Sequence, residues 1–417
     1  MNSYIRTIIS ELRLAEVNNS SILHVTANEN QLSRTAAYFL ASKLSERYYF
    51  GGGDKDRIID FGSYTFRGIP EVERLVQKAS RALKDMVGGS SVNLNCFSGL
   101  HAMMCAILVT TEPGDIVMSL RFEDGGHAAT KGIIENLGRK HVFAEFDLKK
   151  NDINVEASTR IFKELKVKVF YVDISTHINP VDVKSLRKAL GNKSIIIYDA
   201  SHSFGLILGK VMESPLKSGA DLICTNTHKT FAGPQGGLIV YKDQSFGQRA
   251  NYLMNTTLVS SVHTAKLIAL SISLLEYYKH GQEYARQVLV NATELAKALK
   301  LRGYDLRGLS DGIFSRNEQV HVFLNNSTQR VQLYRRLIKN NISTNFMQIF
   351  GGRPFIRLGV QEITRRGMKE REMRIIASLI DRALKGEDIK EEVISFTSNF
   401  PKVEYSFDNN LKYESVD

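Results

Sequence analysis

No run of apolar residues in this 417-residue chain approaches the ~18 needed to cross a bilayer, which excludes a membrane-spanning helix. Cysteine is scarce as well, with Cys96, Cys105 and Cys224 the only three. Their spacing builds neither a disulfide framework nor a CxxC metal pair, so no metal site is expected, and a reduced cytoplasm is the expected compartment. The first residues, MNSYIRTIISELRLAEVNNSS, have no long apolar core of the secretory kind and point the same way. Missing too are internal repeats, low-complexity segments, zinc-finger spacing and an aromatic RNA-binding signature.

What the chain does have is basic charge: 55 Lys and Arg against 44 Asp and Glu, a net charge of +11 and a pI near 9.3. Such a field favours phosphates and carboxylates. The basic residues are spread along the chain instead of forming a tail, so small anionic molecules are expected as partners, and neither nucleic acid nor a membrane. A hydrophobic content of 43% with 24% charged residues gives an ordinary globular chain able to bury a large core. At ~150 residues per domain the length corresponds to roughly two to three domains.

Residues 4–17 carry apolar positions at helical spacing, broken by Asn18, Asn19, Ser20 and Ser21, which predicts a helical arm within residues 1–45. From about residue 75 helical patterns alternate with short apolar runs: DIVMSL, VKVFYVDIS, SIIIYDAS, DLICTNTH and GLIVYK. Strands separated by helices predict a mainly parallel sheet covered on both faces, an α/β domain over residues 46–280. After residue 262 a long helical stretch, with Gly281 as its only strong breaker, runs to Gly303 and is expected to join two domains. Beyond it, QVHVFLN, a helix through RVQLYRRLIKNN, FIRLGVQ and a helix over KEREMRIIASLIDRALKG predict a smaller α+β unit over 281–417, ending in a polar tail from residue 389.

The segment YDASHSFGLILGKVMESPLKSGADLICTNTHKTFAGPQGG, residues 198–237, carries the chemistry. Asp199 follows the apolar run SIIIY and is expected at the carboxyl end of a buried parallel strand, where open α/β sheets bind ligands. A carboxylate in such a place requires a cation, and a pyridinium nitrogen would supply one. Lys229 follows another strand and precedes glycines that allow close backbone approach. A lysine beside a cofactor aldehyde forms a Schiff base, while the carboxylate keeps the ring an electron sink. Taken alone, Asp199 as a helix cap and Lys229 as a solvated loop residue would be the commoner readings; the strand context, the adjacent His228 and the glycine-rich sequel favour the cofactor site.

THK followed by GP-x-GG resembles the cofactor-lysine region of serine hydroxymethyltransferases, and other positions then fall into register along nearly the whole chain. HVTANEN (24–30) resembles that family's N-terminal segment near the substrate and contributes Asn30. FSGLHA (97–102) resembles its phosphate-binding turn, with Ser98, Gly99 and Leu100 at a helix N-terminus where backbone amides suit a dianion. DGGHAA supplies His127 as the imidazole stacked on the cofactor ring, DISTHINPVD supplies Ser175, DASHSFG supplies His202, and FIRLGVQEITRRGMKE supplies Arg357 as the fork for the substrate carboxylate. The resemblance implies pyridoxal 5'-phosphate as cofactor, the fold type I (aspartate aminotransferase-like) architecture, and a homodimer with active sites shared between subunits.

Departures are concentrated in residues 42–68, where two registers are possible. In one, Glu46 matches the family's glutamate; in the other, Tyr48 takes the phosphate-binding tyrosine and Phe50 falls where the glutamate should be. Thr65 and Phe66 replace the family's tyrosine pair, NTTLVSSV (255–262) replaces its glycine-rich loop, and STNFMQIFGGRP shortens the folate-contacting stretch. TANEN, DGGH, SPLKSGAD, RLGVQEITRRGMKE and the late YSFDN (405–409) resemble instead the L-threonine transaldolases of specialised metabolism, which use no folate. That likeness implies cleavage of the Cα–Cβ bond of L-threonine, release of acetaldehyde, and addition of the glycyl carbanion to a second aldehyde, with His127 as base or proton relay. The alternatives are a hydroxymethyltransferase using tetrahydrofolate, an aminotransferase or racemase sharing the same cofactor chemistry, and a non-enzymatic cofactor-binding scaffold.

Overall fold

The computed structural model describes residues 3–309, 312–324 and 330–408. Seven strands, β1 (Ser91–Asn93), β2 (Ile116–Ser119), β3 (Lys140–Phe143), β4 (Val169–Val172), β5 (Ile195–Asp199), β6 (Leu222–Asn226) and β7 (Gly237–Tyr241), form one sheet in the order β1-β7-β6-β5-β4-β2-β3. All neighbours pair in parallel except β7, which runs antiparallel to both β6 and β1. Every residue of β4, β6 and β7 is buried, which is why these strands read as unbroken apolar runs instead of alternating ones.

The direction of β7 is invisible in its composition, yet it matters for the site. Because β7 returns directly beside β6, the ten residues between them, 227–236, form a compact turn at the carboxyl end of the sheet instead of a helical crossover. Two glycines let the loops close up there. A Cβ on Gly99 would lie 2.9 Å from Asn226 Cβ, and one on Gly237 would lie 2.2 Å from the Ser98 carbonyl oxygen.

The predicted long helix is a single element, Thr264–Leu301, 38 residues that run through Gly281 without a break and across the expected domain border at 280/281. Beyond it, Gln319–Phe323 and Asn345–Gln348 flank Pro354–Gly359 in a three-stranded antiparallel sheet. The N-terminal segment joins this unit: Leu23–His24 pairs in parallel with Ile342–Ser343, and Thr26 bridges to Leu358. The polar tail contains a helix, Lys390–Ser398, that the sequence reading left out.

An ion pair lies wholly inside the fold. Arg365 Nη2 is 3.0 Å from Glu276 Oε2, and both side chains are fully buried. Arg365 Nη1 also donates to the Tyr405 carbonyl, and Glu276 Oε1 accepts the Phe407 amide. Asp408 then accepts from the Arg34 and Thr35 amides, so YSFD ties the long helix to the start of helix Arg34–Leu40. The last residue of YSFDN, 409, and the remainder of the tail fall outside the described residues. The expected arm is helix Ser3–Asn19, which leaves Leu12, Leu14 and Val17 exposed. No helix among the described residues is long and apolar enough to cross a membrane.

Candidate active site

The carboxyl ends of β4, β5 and β6 open onto a cavity of about 240 Å³ whose lining includes Asp173, Ser175, Asp199, His202, Asn226 and Lys229. Ser98, Gly99 and Leu100 close another side: Ser98 caps helix Gly99–Thr110 by accepting the His101 amide, which leaves the first-turn amides of that helix facing the cavity.

Asp199, the last residue of β5, is held at both oxygens. Oδ2 accepts the Tyr171 hydroxyl at 2.6 Å and Oδ1 accepts the Ser201 amide at 2.9 Å. Tyr171 comes from the neighbouring strand β4 and is completely buried, and burial raises its phenol well above the ordinary value, so it stays a donor to the carboxylate. Opposite, Lys229 Nζ lies 3.2 Å from His202 Nε2. Burial pushes the Lys229 ammonium down to about 8, against the pull of the Asp199 carboxylate and with the help of Arg357. Burial and the Lys229 charge hold His202 well below its usual range, so its imidazole is neutral.

The backbone of Lys229 is fixed from the N-terminal segment. Asn30 Nδ2 donates to the Lys229 carbonyl at 2.7 Å and lies 3.0 Å from the Tyr284 hydroxyl, while its Oδ1 accepts the Gln31 amide. Asn30, expected near substrate, is therefore occupied in holding the lysine loop and does not line the cavity. His127 does line it. Its amide donates to Asp173 Oδ2 at 3.1 Å, its Nδ1 accepts the Ala129 amide at 3.3 Å, and desolvation lowers its pKa. His228 lines it as well, with Nδ1 unpartnered and its pKa lowered by burial. Ser175 donates to the Gly125 carbonyl at 3.1 Å.

Arg357, in the central strand of the small sheet, is 6% exposed. Its Nη1 reaches Thr176 Oγ1 at 3.3 Å, its Nη2 reaches Asn28 Oδ1 at 2.5 Å, and Nε has no partner. Tyr48 is the outlier. It is 63% exposed, stacks on Phe50 and is not brought to the cavity, whereas its neighbour Tyr49 is buried against Glu73.

Several residues of the site escaped the sequence reading. Asp173 is fully buried, accepts the Leu120 and His127 amides, and is raised to about 7 by burial. Glu318 is also fully buried: Oε1 lies 3.4 Å from His202 Nδ1 and Oε2 has no partner. Burial raises Glu318 to about 7. Asp173 was within reach, since it follows the apolar run VFYV just as Asp199 follows SIIIY. Tyr171 and Glu318 carried no such signal.

A family model for serine hydroxymethyltransferase matches residues 6–380 of this chain. The fluorothreonine transaldolase of Streptantibioticus cattleyicolor is 34% identical over 402 residues, which cover 94% of this chain and 62% of that protein. The chain thus spans less than two thirds of that relative's length. The serine hydroxymethyltransferase of Methanosphaera stadtmanae is 31% identical over 403 residues, covering 94% of this chain and 93% of its own. Among solved structures, L-threonine transaldolase from Pseudomonas fluorescens in its internal aldimine state matches with a TM-score of 0.89 at 26% identity, over 99% of this chain and 97% of the other.

Proposed function

This chain belongs to the serine hydroxymethyltransferase family, enzymes that use pyridoxal phosphate on the fold type I scaffold, and from that premise we propose that it is an L-threonine transaldolase. In this reaction the Cα–Cβ bond of L-threonine, or of a similar β-hydroxy amino acid, is cut, acetaldehyde leaves, and the glycyl unit adds to a second aldehyde. The observation that carries the reading is the cavity in which Lys229, His202 and Asp199 converge, in a chain whose relatives named transaldolases match it nearly end to end.

The residues present fit the cofactor. The cup formed by Ser98, Gly99 and Leu100 offers helix amides to a phosphate, and Gly99 lets the start of that helix pack against Asn226, where a Cβ would lie 2.9 Å from the Asn226 Cβ. Asn226 Oδ1 and His228 Nδ1 are buried polar atoms without partners beside it. Bound pyridoxal phosphate supplies a ring that accepts the electron pair released from Cα.

The chain's own residues supply the rest. Asp199, oriented by Tyr171 and Ser201, offers a fixed carboxylate to a protonated ring nitrogen. Lys229, whose ammonium lies near 8, yields a usable fraction of free amine at neutral pH, and the neutral His202 positions its nitrogen through Nε2 at 3.2 Å. His127, held neutral by desolvation, is the base for the β-hydroxyl proton. Ser175 and His228 complete the polar wall of the cofactor pocket, and Asn30 keeps the lysine loop in register. Arg357 offers its unpartnered Nε, with Thr176 and Asn28 bracing the fork, to the substrate carboxylate.

We further infer a cytoplasmic homodimer with small amino acid and aldehyde substrates. The exposed apolar residues of helix Ser3–Asn19 and the exposed Tyr48 support a partner surface there, to be checked by light scattering. The deciding assay mixes the cofactor-loaded enzyme with L-threonine, an aldehyde acceptor and no folate. Acetaldehyde release with formation of a new β-hydroxy amino acid is expected. Formaldehyde transfer from serine that requires tetrahydrofolate, with no acetaldehyde from threonine, would replace this reading with the hydroxymethyltransferase activity carried by full-length relatives.

A further inference from the structure

At the start of helix Gly99–Thr110, beside the phosphate cup, two thiols and an imidazole meet. Cys96 follows β1, His101 sits in the first turn of the helix, and Cys105 lies four residues later, on the same helical face as His101. One ligating atom from each lies within 4.8 Å of the other two. Both cysteines are fully buried and neither is in a disulfide. His101 is half-buried, and its Nδ1 accepts the Phe97 amide at 3.0 Å, a hydrogen bond that ligation by the imidazole must displace. Phe97 stacks on that ring with centroids 5.0 Å apart. The cation facing the cluster is Lys266, whose buried ammonium donates to the Leu94 and Cys96 carbonyls and fixes the strand-to-helix loop.

Neither cysteine belongs to a CxxC pair, which is why the sequence predicted no metal. The pattern is C-x4-H-x3-C, and only the helix brings its three members together. We propose that Cys96, His101 and Cys105 form a binding site for a thiophilic metal ion of the Zn²⁺ class. Two sulfurs and an imidazole select such an ion over Mg²⁺ or Ca²⁺, which take oxygen. Metal–sulfur bonds of ~2.3 Å and a metal–nitrogen bond of ~2.0 Å put tetrahedral ligands about 3.5 to 3.8 Å apart, so groups within 4.8 Å need to close by at most roughly 1.3 Å. Binding releases two thiol protons and yields a neutral centre from M²⁺, two thiolates and a neutral imidazole. Three protein ligands leave a fourth position, on the half-buried His101 side, for solvent. Ser98 and Gly99 lie between the first and second ligands, so the ion clamps the loop that carries the phosphate cup.

The test uses the reduced, cofactor-loaded enzyme and Co²⁺ as probe. Tetrahedral thiolate coordination gives d–d absorption at the red end of the visible spectrum, clear of the cofactor band. One equivalent is expected to bind, to be displaced by Zn²⁺, and to raise the melting temperature. Cys96→Ser and Cys105→Ser are each expected to abolish the absorption while the cofactor band stays intact, which also shows that the variants have folded. X-ray absorption at the zinc edge of the unaltered protein reads the site without any variant, and two sulfurs and one nitrogen are expected. A first shell of oxygen and nitrogen alone, d–d bands that survive Cys105→Ser in a folded variant, or a Cys96–Cys105 disulfide that persists in the reduced enzyme would each overturn the proposal.

Discussion

Replacing Arg365 with Met leaves the Glu276 carboxylate buried with the Phe407 amide as its remaining partner among the bonds described above. Breaking one side of a buried pair costs ~3–5 kcal/mol, far more than the pair itself contributes over an apolar substitute. Glu276 is already raised above the ordinary carboxylate range, first by burial, with Arg365 opposing that shift, so losing the arginine raises it further. For an acid with a raised folded pKa, stability is intact below the unfolded value near 4.5 and is lost as pH climbs toward the folded value. The deficit of Arg365→Met is therefore expected to grow above the wild-type Glu276 pKa by at most ~1.4 kcal/mol per pH unit, so that its pH-dependent part stays below ~3.4 kcal/mol at pH 7 and shrinks by up to ~2.7 kcal/mol at pH 5. Urea unfolding midpoints at fixed protein concentration and saturating cofactor measure it. Adding Glu276→Gln, which retains an acceptor for Phe407, is expected to recover most of the loss. A deficit below ~1 kcal/mol at pH 7, one equal at pH 5 and 7, or a double variant no better than the single one would refute the reasoning.

Lys229→Met is expected to bind cofactor without the absorption of a lysine-linked imine and to lose turnover, as a visible spectrum and the acetaldehyde assay will show. Because the Lys229 ammonium lies near 8, the rate at which the apoenzyme reloads with cofactor is expected to rise to about pH 8 and then flatten; a rise continuing to pH 10, relative to a free amine control, would contradict that value. Gly99→Ala places a Cβ 2.9 Å from Asn226 Cβ and 3.3 Å from its backbone nitrogen, so the helix start must shift away from the end of β6; the melting temperature is expected to fall and cofactor affinity by fluorescence titration to drop at least ~10-fold, about 1.4 kcal/mol. Tyr171→Phe removes a hydrogen bond to the Asp199 carboxylate worth ~1.5–3 kcal/mol, so kcat is expected to fall by about 10- to 100-fold while KM for threonine stays within about threefold.

Apolar runs bounded by turn residues located β2, β4, β5, β6 and β7, because strands covered on both faces must be apolar throughout. The antiparallel course of β7 was not legible, since a strand buried on both faces has the same composition in either direction. The small strands at 23–24 and 342–343 are two residues long and too short for any period to register. In helix Lys390–Ser398 only Val393 and Thr397 are buried, so its pattern resembles a polar tail. At the site, Asp199 and Lys229 were legible because strand ends locate them, and His202 through the likeness of DASHSFG to the family's segment. Glu318 was not: its significance arises from a strand more than a hundred residues later in sequence folding back onto His202. Asn30 was expected near the substrate from the resemblance carried by HVTANEN, and its side chain donates to the Lys229 carbonyl.

The pairing of residues 23–24 with 342–343 has a bearing on how the protein is made. At ~5–20 residues per second, the N-terminal strand leaves the ribosome roughly 15 to 65 s before its partner is synthesised. Throughout that interval Leu23 and Val25, fully buried in the finished fold, have nothing of their own to rest against. Asn30, which holds the Lys229 loop, waits on Tyr284 to complete its contacts, and the Arg34 and Thr35 amides wait on Asp408. A nascent chain stopped short of residue 342 therefore holds all seven strands of the central sheet and the Asn30, Lys229 and Tyr284 contacts, but its N-terminal strand is unpaired, and the seating of that strand is the step that waits for the small sheet unit.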